Sequence, residues 1–135
     1  MGVDIFGQEP KEGGDYFRSN WWFWRPLVAY GYFVAPDLME GCTHWGSNDG
    51  DGLDASGSIA LANALNNDAK LAEFKSEHCY QIPEEKREEG WAVLPDASPP
   101  VRWRVKSVGK EYPFDEELLR EWIAFLRVCG GFEIW

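Results

Sequence analysis

Four consecutive large aromatic side chains, Trp21, Trp22, Phe23 and Trp24, head the block WWFWRPL. No regular backbone points four successive side chains the same way, because they spread around a helix and alternate across a strand. Any fold of this chain must therefore place a core on one side of the block. On the other side it needs a second packed surface, a pocket wall or an interface. Pro26 suits the first turn of a helix better than its interior, so a helix is expected over about 26–34. Leu27, Tyr30 and Val34 would lie near one face, and Gly31 would allow close packing. Pro36 stops the helix. Arg25 can stack on an indole or grip a carboxylate, and aromatics with Arg are favoured at binding hot spots. Core and interface both fit Trp21, Trp22, Trp24 and Arg25.

The remaining periodicities point to a mixed fold. Residues 3–6 read as a short strand, with Val3 and Ile5 on one face and Phe6 on the other. Residues 7–15 are rich in Gly and charge and read as a loop. Residues 41–57 hold five glycines and four Asp or Asn residues, the composition of a long structured loop. Ser56 or Ser58 is then expected to cap a helix carrying Ile59, Leu61, Ala62 and Leu65. Asp68 is expected to cap a second short helix through Leu71, Ala72 and Phe74. Residues 101–108 alternate as a half-buried strand. The last helix is the clearest element. Asp115 is a good N-cap, and Leu118, Leu119, Trp122, Ile123, Phe125 and Leu126 form an apolar stripe. Phe114 can staple onto Leu119, Glu116 and Arg120 are spaced i, i+4, and Gly130-Gly131 ends the helix. Residues 132–135 read as a final strand. The expected fold is α+β: a small sheet that includes the N- and C-terminal strands, packed against three to four helices. A chain of 135 residues suits one domain over 1–135, with 83–100 open to reading as an exposed excursion.

Composition excludes some classes of function. The net charge is −10, which repels phosphate backbones, so direct nucleic-acid binding is not expected and a basic partner surface suits better. No run of 18 apolar residues suggests a membrane span. Three cysteines, Cys42, Cys79 and Cys129, give no disulfide framework, and free thiols fit a reducing cytoplasm.

The blocks MGVDIFG, YFRSNWWFWRPL, SNDGDGLDASG, and YPF through FLRVCGGFEIW, in that order, resemble a family of small uncharacterised proteins of bacteria and their phages. The resemblance covers both ends and residues 16–75. It implies a common fold and a phage or prophage setting, and no particular activity. Some look-alikes carry a cysteine-rich, zinc-ribbon-like insertion before the YPF block. The matching region here, about 79–112, has only Cys79.

Two further constellations carry chemistry. Asp49, Asp51 and Asp54 on a Gly-rich loop could hold a divalent cation through hard oxygen ligands, with His44 as an acid–base partner. An EF-hand register fails, because Ser58 falls where the bidentate Glu belongs. The simpler account has Asp and Asn side chains bonding their own backbone and capping the next helix. Cys42 with His44, and His78 with Cys79, have poor spacing for a tetrahedral zinc site, and no cysteine sits in a nucleophile motif. No cofactor is expected, although a divalent cation is compatible with the loop. The leading expectation is a small cytosolic accessory protein that binds a protein partner through Trp21, Trp22, Trp24, Arg25, His44, Trp45, Asn48, Asp49 and Asp51. The alternative is a divalent-metal-dependent enzyme or ligand-binding domain centred on residues 44–54.

Overall fold

The computed structural model describes residues 2–47, 49–81, 103–105 and 112–135, with the backbone alone for 78–81, 103–105, 112 and 113. The expected excursion at 83–100 and most of the expected strand at 101–108 lie outside these residues. The elements run β1 (Gly2–Gly7), β2 (Tyr16–Asn20), α1 (Trp21–Val34), α2 (Pro36–Met39), α3 (Ala55–Leu65), α4 (Asp68–His78), β3 (Cys79–Gln81), β4 (Trp103–Val105), β5 (Tyr112–Phe114), α5 (Glu116–Val128) and β6 (Phe132–Ile134). They make an α+β fold with two antiparallel sheets, ordered β2-β1-β6 and β3-β4-β5. Among the described residues no helix is long and apolar enough to cross a membrane.

The first sheet joins the two ends of the sequence, as the alternation predicts. Ile5 stands opposite Phe17 on one side and Ile134 on the other. Val3, Ile5, Phe17, Phe132 and Ile134 face inward and are buried, while Phe6 and Tyr16 face solvent. Against the inner face packs α5, whose apolar stripe buries Leu119, Trp122, Phe125 and Leu126. Phe17 touches both Trp122 and Phe125, at centroid distances of 5.1 and 5.7 Å. The Asp115 side chain caps α5 by accepting from the N–H groups of Glu117 and Leu118, and Arg120 reaches Glu116 at 3.8 Å. Gly130 and Gly131 end the helix at positive φ, 67° and 93°, where a side chain would be strained.

Helix α1 differs from expectation. It begins at Trp21, five residues before Pro26, because the Asn20 side chain accepts from the Phe23 N–H at 3.0 Å and caps it. Pro26 thus lies inside the helix and supplies no N–H, yet its ring is buried, and this burial offsets the lost rung. The expected role of Gly31 holds: a Cβ there would meet the Met39 Sδ and Cε at 2.7 Å.

Two helix caps also shift by a few residues. Asp54, not Ser56 or Ser58, caps α3, accepting from the Gly57 N–H at 2.7 Å. Ser58 is buried and donates to the Asp54 carbonyl oxygen at 2.8 Å. Asn67, not Asp68, accepts from the Lys70 N–H at the start of α4. Leu61, Ala62 and Leu65 are buried as expected, but Ile59 is exposed. Replacing Asp54 with Ala should cost about 1 kcal/mol, the usual penalty for losing a side-chain cap, readable as a lower urea midpoint with an unchanged slope.

Candidate functional site

The aromatic block and the segment just before the acidic loop meet through tryptophan. Trp24, on the buried side of α1, donates its indole N–H to the Trp45 carbonyl oxygen at 2.8 Å. Trp45 in turn donates to the Met39 carbonyl oxygen at 2.8 Å. The Trp24 ring stands edge-on to Trp122 at 5.0 Å and 6.2 Å from Trp45, and Trp45 reaches Phe132 at 5.8 Å. Both residues are buried, so these two expected binding residues are core residues whose rings are sealed from a partner. The spread forced by four adjacent aromatics is resolved by helical geometry. Phe23 and Trp24 turn inward, Trp21 is half-buried, and Trp22 is 52% exposed. Arg25 is exposed, with its guanidinium carbon 5.9 Å from the centre of the Trp21 ring.

The acidic loop is built around Asp51 and the edge of β6. Asp51 Oδ2 accepts from the backbone N–H groups of Thr43 and His44, at 2.8 and 3.1 Å. The His44 ring Nδ1 lies 3.1 Å from the same oxygen, while Oδ1 accepts from the Gly52 N–H at 2.9 Å. The Thr43 N–H, together with those of Gly52 and His44 and the His44 ring, holds the Asp51 carboxyl below its ordinary value of 3.8, against an opposing effect of burial. From Gly50 onward the loop runs antiparallel to β6. The Gly50 N–H donates to the Ile134 oxygen, the Ile134 N–H to the Asp51 oxygen and the Phe132 N–H to the Leu53 oxygen, at 2.7, 2.7 and 2.9 Å. A bridge between Asp54 and Gly131 closes the pairing. The approach is close enough that a Cβ on Gly52 would sit 1.8 Å from the Phe132 carbonyl oxygen.

Each loop carboxylate thus has a local task. Asp51 ties the loop to itself, Asp54 caps α3, and Asp49 accepts from the Ser47 hydroxyl. Among the described residues no three His, Cys, Asp or Glu side chains converge as a metal would need. Asn48 lies outside the described residues, as do the side chains of His78 and Cys79. Burial pushes the Cys42 thiol up to about 12, with the Asp51 charge adding to the shift, and burial also raises the Cys129 thiol. Burial thus disfavours the reactive thiolate form at both positions.

The depressed Asp51 carboxyl carries a pH signature. A group whose folded-state pKa lies below its unfolded value contributes stability above the unfolded value, and that contribution disappears as pH falls through the folded one. Asp51→Asn should therefore be less stable than wild type near neutral pH. In urea unfolding the gap should narrow as pH drops below 3.8; a constant gap down the acid limb would contradict this.

A surface outside the expected residues is the outer face of the β2-β1-β6 sheet. The Phe6 and Tyr16 rings lie 5.3 Å apart and are 44% and 43% exposed. The Tyr16 hydroxyl donates to Asp4, and that bond, helped by partial desolvation, holds the hydroxyl above its ordinary value. Beyond Phe6 stands Glu133, which accepts from Gln8 Nε2 at 3.3 Å and from the Trp135 indole at 3.1 Å. The Trp135 ring lies over Gly50 and is 49% exposed. The outward placement of Phe6 follows from alternation. That Tyr16 stands beside it depends on strand register, for which no local sequence signal exists. Comparison with protein-family models, with curated proteins and with solved structures finds no match to the chain.

Proposed function

We propose that this chain is a small cytosolic accessory protein, of the phage or prophage kind its sequence resembles, that works by binding a protein partner rather than by catalysis. The observation that carries the reading is the outer face of the terminal sheet. Phe6, Tyr16 and Trp135 are each more than two-fifths exposed there and sit on adjoining strands and the residue that follows β6. Exposed apolar side chains scattered singly are ordinary, whereas several on one sheet face, two of them with rings 5.3 Å apart, are the kind of surface used for docking. Two buried thiols suit a reducing compartment, and a net charge of −10 disfavours nucleic acid as the direct partner.

The double substitution Phe6→Ser with Tyr16→Ser tests this. Because both side chains face solvent, stability should fall by no more than about 1 kcal/mol, the scale of a cross-strand aromatic pair. A partner captured by the wild-type chain from a lysate of its own host should be lost. If Trp22→Ser abolishes capture and the double variant does not, docking is through α1. If neither variant alters capture, the proposal is wrong.

A further inference from the structure

Resting on that docking reading, we infer that the partner segment seated on the outer sheet face is basic, rich in lysine and arginine. The face offers three aromatic rings, Phe6, Tyr16 and Trp135, whose π-faces attract cations. Between them, at register positions on β1 and β6, stand the carboxylates Asp4 and Glu133. Asp4 is partly balanced by Arg18, 3.8 Å away on β2. Among the described residues no cation pairs with Glu133 in this way. Its carboxylate accepts from two neutral donors, Gln8 and Trp135, which fix it in place without offsetting its charge. Chain neighbours add to the same sign. Exposed Asp15 immediately precedes Tyr16, and exposed Asp49 precedes the Gly50 on which the Trp135 ring lies.

Aromatic faces beside fixed carboxylates favour a guanidinium or ammonium group, which gains a cation–π contact and a charge contact at once. An acidic or phosphate-bearing partner would meet repulsion at the same positions. The face is also bounded on one side by β2, an edge strand of its sheet, so an extended basic segment could lie along it.

The test is fluorescence anisotropy with the full chain and three short labelled peptides of one design, carrying Lys and Arg, Gln, or Glu at the variable positions. The basic peptide should bind, and binding should weaken as salt is raised. Affinity should fall about tenfold on Glu133→Gln and again on Phe6→Ser. Glu117→Gln with Glu121→Gln, which removes two exposed charges from α5, should leave it unchanged. Absence of basic-peptide binding at low salt overturns the inference, as does an equal loss in the α5 variant, which would mean attraction by net charge alone. If the Gln peptide binds as well as the basic one and Phe6→Ser abolishes both, the basic preference falls while docking at this face stands. If the Phe6→Ser and Tyr16→Ser variants bind every peptide as wild type does, both readings fall together.

Discussion

Trp24→Ala should lower stability by about 3–5 kcal/mol, the range for removing a large buried aromatic. Trp24 is almost wholly buried and lies among Phe17, Trp45 and Trp122. Truncation leaves a large cavity between α1, α5 and the loop. It also strips the Trp45 carbonyl of its indole donor, and a buried acceptor left unsatisfied costs more than the net worth of the bond. Domains of this kind have a total stability of about 5–15 kcal/mol, so the variant should unfold on the order of 10 °C or more below wild type in a thermal melt. Trp22→Ala, two positions earlier and half-exposed, should shift the midpoint far less. Equal effects at the two positions would show that α1 is not rotated as described.

Gly52→Ala should also be strongly destabilising, at about 3 kcal/mol, although it adds one methyl group. The added carbon would sit 1.8 Å from the Phe132 carbonyl oxygen and 2.7 Å from its carbon. Neither atom is the end of a flexible side chain. Relief would require the loop to back away from β6, which breaks the Phe132–Leu53 and Ile134–Asp51 hydrogen bonds. Gly46→Ala in the same loop is the matched control, because a Cβ there meets nothing within 4 Å. That change should be neutral or stabilise by a few tenths of a kcal/mol through the unfolded chain, on the order of 0.5 kcal/mol. Chemical denaturation of the pair separates close approach from a general intolerance of the loop.

What could be read from sequence is what depends on near neighbours. Helix α5 carries its cap, its stripe and its Gly-Gly stop within a few residues of one another, and it forms as expected. The alternation of Val3, Ile5 and Phe6 likewise sorts inner from outer face. The start of α1 was hidden because two local rules conflict. Pro26 favours a start beside it, whereas Asn20 caps a start at Trp21, and burial of the aromatic block decides for Asn20. The cap of α3 was ambiguous for a different reason. Asp54, Ser56 and Ser58 are all competent caps, and the choice is made by the loop's pairing with β6, which holds Asp54 extended opposite Gly131. The same long-range pairing explains why glycine is needed at position 52. The candidate site was legible only in part. Which of four adjacent aromatics face out depends on where the helix begins, and the Phe6–Tyr16–Glu133 row exists only once the β1–β2 hairpin and the distant β6 are in register.

The pairing of β1 with β6 sets the order in which the chain can be completed as it is made. The β1–β2 hairpin emerges from the ribosome long before α5 and β6, yet the inward side chains Ile5 and Phe17 find cover in those later elements. A two-stranded hairpin alone is marginal in water. A segment made well before α5 and β6 is therefore secured only with them, and closure of the sheet joins residues as far apart as Ile5 and Ile134. Contacts of that range slow folding more than they weaken the folded state.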